Sequence, residues 1–461
     1  MAVGVAGHSE FLARLAACVA PAGLILDREA LEPHLTEWRG LFRGEALALA
    51  LPASTEEASA TLRLCAEYQV GVVPQGGNTG LVGGAIAHST PAQPQILLGA
   101  SRLNQVLEID AANYTLTAQS GCILANLQSE AAAVDRLFPL SLAAEGSCQL
   151  GGNISTNAGG INVLRYGNMR AQVLGLEVVL ADGRVLDTLR GLRKDNTGYD
   201  LKQLFIGAEG SLGFITAATC KLYPRPRSRA TAWLAVASPA AAVEVYARAR
   251  AALGEDLVAF ELISQLALEL VVEHIQPTRA PLEQAYPWHL LIELAASRPD
   301  GQSLLEEFLA DELKHGRLQD AVVAQNNTQA EALWRLRHNI SEAQKLAGAG
   351  IKHDIAVPVS RVDEFINAAS AAARELVPDV RIVAFGHLGD GNLHFNLNQP
   401  VHMSGRAFLD LWEPVSRRMH DIAAALGGSF SAEHGIGALK IADLERYRGG
   451  VELDLMRALK Q

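Results

Sequence analysis

The chain has 461 residues, of which 49% are hydrophobic, and its 39 Lys+Arg against 50 Asp+Glu give a formal net charge of −11. That length allows two or three domains with large apolar cores, and an acidic balance with no basic run argues against nucleic acid as a partner. Met1–Glu10 lacks a basic stretch leading into a long apolar one, and no apolar run reaches about 18 residues, so the sequence reads as a soluble, cytoplasmic protein with no transmembrane segment. Five cysteines, an odd number without C-x-x-C spacing, suggest reduced buried thiols rather than disulfides or a thiolate zinc site.

Residues 1–50 read as mainly helical. Ser54 with Glu57 three positions on is a capping-box signature opening an amphipathic helix that runs to Tyr68. Short apolar strands follow at Gly71–Pro74, Gln95–Leu98, Thr115–Gln119 and Leu174–Leu180, with glycine-rich segments between them. Tyr223-Pro224-Arg225-Pro226-Arg227 breaks regular structure and marks a domain boundary. Beyond it, strand-like segments at Thr231–Ala237, His289–Ala295, Ala321–Ala324, Ile351–Val357 and Arg381–Phe385 alternate with helical stretches at 238–253, 301–315, 328–348 and 360–376, the pattern of a sheet covered by helices on one face. Residues 406–461 read as a helix, a glycine-rich loop and a final helix. The fold class is therefore α+β, with domains expected at 1–225, 226–405 and 406–461.

Three glycine-rich runs lie in the first half. Pro74, Gly76, Gly77, Asn78, Thr79, Gly80 and Leu81 follow a strand and carry no Lys or Arg, so the loop offers backbone N–H groups. Its pattern is neither G-x-G-x-x-G nor Walker A, which disfavours a Rossmann nicotinamide site and a nucleotide triphosphatase. The second run holds Gly146, Ser147, Gly151, Gly152, Asn153, Ser155, Thr156, Asn157, Gly159 and Gly160, and the third, around Gly210, leads into the strand of Ile215. Each alone can be a turn cluster; three of them suggest an extended polar cofactor.

Near the C-terminus, Asp390-Gly391 between alternating apolar flanks is a hairpin signal. A two-residue turn there pairs 389 with 392 and 387 with 394, placing the imidazoles of His387 and His394 on one face with Cβ atoms roughly 5 Å apart. Glu433-His434 follows downstream. Asp390 and Asn392 are assigned to forming the turn, and Asn396 points the same way as His394.

Taken together, Gly76–Gly80, Gly151–Gly160, Gly207–Gly213 and the His387/His394/Glu433-His434 set resemble the FAD-linked D-2-hydroxyacid dehydrogenases of the vanillyl-alcohol oxidase superfamily, over about residues 40–445. The D-2-hydroxyglutarate dehydrogenase branch is the nearest match, with D-lactate dehydrogenase and the glycolate oxidase flavoprotein subunit as alternatives. The resemblance implies an N-terminal FAD-binding domain of the vanillyl-alcohol oxidase type, an α/β substrate domain with an antiparallel sheet, and a C-terminal helical segment that completes the active site. It also implies that FAD is held by the residues named in the three loops. Residues 74–84 contain neither His nor Cys, so the FAD is expected to be noncovalent.

His387, His394 and Glu433 match the family's metal ligands, a His₂Glu set that suits Zn²⁺ and tolerates manganese, cobalt or iron. His434 is the candidate base and also a substrate contact, and Asn396, two residues beyond His394 on the same face, is the further candidate substrate contact. Arg337 and Ser341, at i and i+4, together with Lys352 match positions that take substrate carboxylates, and favour a dicarboxylate. Candidate partners are a small 2-hydroxy acid, an electron-transfer flavoprotein or quinone as acceptor, and a second copy in a homodimer. The competing class is a zinc hydrolase in which the glycine loops are only turns; a noncatalytic flavoprotein subunit is a further rival that the intact Glu433-His434 pair disfavours.

Overall fold

The computed structural model describes residues 5–461; the reading of residues 1–4 as part of a helical N-terminus lies outside them. The chain divides into two compact units. The first is built from residues up to 160, 167–225 and 433–461, and the second from 161–166 and 226–432. Chain return thus separates 406–432 from 433–461, and a six-residue excursion at Ile161–Tyr166 belongs to the second unit.

In the first unit the helix Thr55–Tyr68 begins where expected. Ser54 Oγ accepts the Glu57 N–H at 3.2 Å, satisfying one donor that a helix start otherwise leaves open, while Glu57 Oε2 reaches back past the cap to accept the Ala53 N–H at 2.8 Å. Gln69, at φ +55, ends it. Strands Gly71–Gln75 and Gln95–Gly99 pair in parallel, and Gln95–Gly99 continues through Leu49–Ala50 to Leu24–Ile25. A second, antiparallel sheet of five strands is ordered Val106–Asp110, Thr115–Gln119, Phe214–Lys221, Val173–Val179, Val185–Asp187. Its apolar face packs on the helix Leu124–Ala133 and on Leu150 and Ile154. The second glycine run is not all loop, since Leu150–Ser155 is a short helix.

Among the described residues the second unit holds one antiparallel sheet of eight strands. Its order is Asp320–Val323, Ser228–Val236, Trp288–Ala296, Leu257–Ser264, Arg381–His387, Asn392–Asn398 and then Gly350–Ile351, with Asp354–Ala356 also on Asn392–Asn398. The central strand Leu257–Ser264 is absent from the sequence reading. All eight of its residues are buried, so it shows no apolar/polar alternation. A strand buried on both sides needs two covers, and helices pack on both faces rather than the one expected. Phe260 and Leu262 face Pro239–Leu253, Gly301–Lys314 and Val362–Leu376, while Ala259 and Ile263 face Gln265–His274, Asn327–His338 and Ile340–Leu346.

Three local expectations also change. The stretch 328–348 is two helices joined at Asn339, and Ile351–Val357 is interrupted at Lys352-His353. The hairpin register differs by two. His387 pairs with Asn392 and Phe385 with His394, leaving a loop of four residues, Leu388–Gly391. Asp390 Oδ1 accepts the Asn392 N–H at 3.0 Å, and only Gly391 of the loop's last two residues has positive φ, +80°, so the turn is not type I′. A shift of two keeps every side chain on its face, so the histidines still share one side of the sheet.

Candidate active site

The three glycine loops of the first unit meet because side chains are missing where they touch. A Cβ on Gly77 would fall on the carbonyl oxygen of Ser147, and Gly76 lies alongside Gly152, where an added Cβ would make only ordinary van der Waals contact. Gly210, at φ +72, presses on Pro74, where an added Cβ would come within 2.8 Å of the ring. Several predicted cofactor residues also hold the loops themselves. Asn78 Nδ2 donates to the Thr36 carbonyl at 3.0 Å, Leu81 O accepts from Arg39, Thr156 Oγ1 donates to Gly152 O at 3.0 Å, and Asn157 Oδ1 accepts the Arg170 N–H at 2.9 Å. Asn153 is buried, Gly80 and Gly146 face open space, and Ile215 is buried where its strand bulges.

Beside Gly76 and Gly151 lie Gln149 Oε1 and Ser120 Oγ, both buried and without a hydrogen-bond partner among the described residues. Buried polar atoms are ordinarily satisfied. A cradle of close-packed glycines flanked by such atoms fits the polar half of FAD.

The same loops grip the returning C-terminal segment. Gly160 donates its N–H to Glu433 Oε1 at 2.7 Å, and the carbonyl of Val82 accepts Ala438 N–H at 2.8 Å and Leu439 N–H at 3.1 Å. Glu209, in the third loop at φ +51, accepts the N–H groups of Ile436 and Gly437, one on each carboxylate oxygen, at 2.8 Å. His434 is therefore carried on a segment anchored before and after it. The grip of Glu209 could not be read from sequence, since it joins positions more than 200 apart.

In the second unit, the face shared by Trp233 and Leu291 continues across Glu261, His387 and Asn392. His387 and His394 lie on it with ring centroids 5.8 Å apart and planes at 76°. His387 Nδ1 stands 2.6 Å from Glu261 Oε1, and His394 Nδ1 stands 4.0 Å from Oδ1 of Asp354, its cross-strand partner. Asn392 Nδ2 donates to Asp354 Oδ1 at 2.9 Å, and the N–H of Ala432, the residue before Glu433, donates to the Asp354 carbonyl at 3.2 Å. Asp354 was not singled out in the sequence. Two imidazoles beside a buried carboxylate, on rigid strands, are a donor set suited to a divalent ion.

Arg337 is 8% exposed; its Nε donates to Glu261 Oε2 at 2.7 Å and its guanidinium lies 4.8 Å from the centroid of the Phe385 ring. Ser341 is exposed in the next helix and Lys352 is exposed at the strand break. The structure does not bring Asn396 out as an open contact: Oδ1 accepts the His353 N–H at 3.1 Å and Nδ2 donates to Gln344 Oε1 at 2.8 Å. Glu261 is the functional residue that sequence reasoning missed. Burial would raise its carboxyl, but its two partners, His387 and the Arg337 guanidinium, outweigh that and hold it below the usual carboxylate range. The available signal was a lone acid inside a strand-length apolar run, Leu257-Val258-Ala259-Phe260-Glu261-Leu262-Ile263.

Comparison with known proteins agrees with this division. The "FAD binding domain" family matches residues 46–189, and "FAD linked oxidases, C-terminal domain" matches residues 225–461. The mitochondrial D-2-hydroxyglutarate dehydrogenase of Arabidopsis thaliana is 37% identical over 439 residues, 95% of this chain and 76% of its own. That of Bos taurus is 40% identical over 444 residues, 96% and 79% respectively. The solved structure of 4-ethylphenol oxidase from Gulosibacter chungangensis shares the fold at 17% identity, with a TM-score of 0.74 over 99% of this chain and 95% of that one. The expected α+β fold of the vanillyl-alcohol oxidase type is the one observed. The cytoplasmic expectation is overturned, because both relatives are named as mitochondrial proteins. Among the described residues no helix is long and apolar enough to cross a membrane.

Proposed function

The chain belongs to the D-2-hydroxyglutarate dehydrogenase family of FAD-linked oxidases, and from that premise we propose that it is an FAD-dependent oxidoreductase converting D-2-hydroxyglutarate to 2-oxoglutarate with the help of a divalent ion. The carrying observation, beyond kinship, is the pair His387/His394 on one strand face with the buried guanidinium of Arg337 joined to the same cluster through Glu261.

Bound FAD supplies a hydride acceptor, and a divalent ion supplies a Lewis acid that lowers the pKa of the substrate hydroxyl. The converged loops at 74–81 and 146–160, with Gly210 and Ile215, are the residues assigned to FAD. His387, His394 and Glu433 are assigned to the ion, with Zn²⁺ the best match to the donors. His434 takes the hydroxyl proton at an imidazole nitrogen; its segment is fixed by Glu209 and Gly160, so the base is presented without a further ordering cost. Arg337, Ser341 and Lys352 offer a guanidinium, a hydroxyl and an ammonium to the substrate's carboxylates, and Asn396 orients the strand beside them. That cation set favours a dicarboxylate over D-lactate or glycolate.

The test is an anaerobic visible spectrum with D-2-hydroxyglutarate, then D-lactate, with and without chelator. Bleaching of the flavin by hydroxyglutarate that the chelator abolishes is expected. Bleaching that survives metal removal would refute the role of the ion, and a colourless protein would return the zinc hydrolase reading. His434→Ala should keep FAD and metal but lose flavin reduction; an unchanged rate would remove His434 as the base.

A further inference from the structure

We propose that Glu261 is a positioning residue that serves both halves of the substrate site: one buried carboxylate fixes the proton on His387 and the orientation of Arg337, so metal affinity and grip on the substrate depend on the same side chain. The inference rests on the metal-holding reading of His387 and His394.

Glu261 is 1% exposed and sits in the central strand with apolar neighbours on either side. Its two oxygens are divided: Oε1 stands 2.6 Å from His387 Nδ1, and Oε2 accepts Arg337 Nε–H at 2.7 Å. An ionised carboxylate only accepts. A proton is thereby held on His387 Nδ1, and in the neutral imidazole Nε2 keeps the lone pair needed by a ligand. Carboxylates placed behind ligating histidines act in this way, and losing them weakens metal binding by about 10- to 100-fold. On the other side, the Nε contact and the Phe385 ring beneath fix the plane of the guanidinium. The two Nη groups are then the part of Arg337 that can meet a substrate carboxylate in a bidentate fork. A purely structural ion pair would need neither a histidine ligand nor a cation placed by the same atoms.

The experiment is Glu261→Gln in the full chain, with His394→Ala alongside. Zn²⁺ affinity is read by competition with a coloured chelator, flavin content by absorbance, and fold by near-UV circular dichroism. Glu261→Gln is expected to keep its fold and FAD, bind Zn²⁺ about 10- to 100-fold more weakly, and at saturating Zn²⁺ still show a raised KM for D-2-hydroxyglutarate. Wild-type Zn²⁺ affinity in Glu261→Gln, with binding lost in His394→Ala, would overturn the inference while leaving the metal reading intact. Equal Zn²⁺ binding by wild type and His394→Ala would overturn both. If the Gln variant does not fold, ¹⁵N NMR of the His387 ring in the wild-type protein decides: a proton on Nδ1 supports the assignment, and a proton on Nε2 alone overturns it.

Discussion

Lowering the pH from 7.5 to 4.5 should destabilise the second unit through His289. This imidazole is 1% exposed, accepts the Trp233 indole N–H on Nδ1 at 3.1 Å and stands 2.7 Å from Gln265 Oε1 through Nε2. An indole N–H can only donate, so Nδ1 carries no proton, the proton sits on Nε2, and the ring is neutral. Burial accordingly lowers its pKa from 6.5 to about 4. The folded value lies below the unfolded one, so the unfolded chain takes up the proton first as pH falls through 6.5. The stabilisation is complete above that value and erodes down to about pH 4. At about 1.4 kcal/mol per pH unit, the loss between pH 7.5 and 4.5 comes to about 2.5 kcal/mol from this one group. Urea unfolding followed by tryptophan fluorescence, at steps of pH, gives the slope for wild type and for His289→Gln, which keeps an acceptor for Trp233 but cannot titrate. Expected is a shallower pH dependence in the variant by that amount. Parallel curves for the two proteins would refute the neutral buried imidazole.

Gly77→Ala forces a methyl group against the Ser147 carbonyl and should cost about 1–3 kcal/mol of loop packing, seen as loss of most of the flavin absorbance from a protein with unchanged far-UV circular dichroism. Gly391→Ala meets the Val357 carbonyl and sits at φ +80, so a loss of about 2–4 kcal/mol in the second unit is expected by chemical denaturation, with weaker Zn²⁺ uptake. Glu209→Gln replaces one acceptor by a donor facing an N–H; flavin reduction by D-2-hydroxyglutarate, followed by stopped flow, should slow about tenfold or more while FAD is retained. An unchanged rate there would show that this grip does not set the position of His434.

The parts of this protein that were legible in its sequence are those written in local chemistry. Ser54 and Glu57 mark a helix start because both partners lie within one turn, and the hairpin around Asp390-Gly391 shows itself through its turn residues. Its register was not legible, since a two-residue and a four-residue loop both place His387 and His394 on one face; the choice falls to Asp390 capping Asn392 and to the Val357 carbonyl against Gly391. The Leu257–Ser264 strand was hidden because burial on both faces erases the period of two, and with it went Glu261. Ser341 and Lys352 lie where helix and strand break, which periodicity read as continuous. The convergence of the glycine loops on each other and on Glu433–Leu439 joins residues far apart in the chain, and no window along the sequence contains both sides of those contacts.

The return of residues 433–461 to the first unit imposes an order of assembly during translation. At about 5–20 residues per second, Glu209 leaves the ribosome roughly 10–45 s before Ile436 and Gly437, the backbone groups it will hold. All of 226–432 emerges in that interval, so the second unit has its entire sequence available while the first still lacks its last strip. The glycine loops of the flavin cradle are all made before or at the start of that interval, whereas the histidine assigned to take the substrate's proton follows it. A chain stopped just after Ala432 would retain most of both cores and lack the histidine proposed to take the substrate's proton.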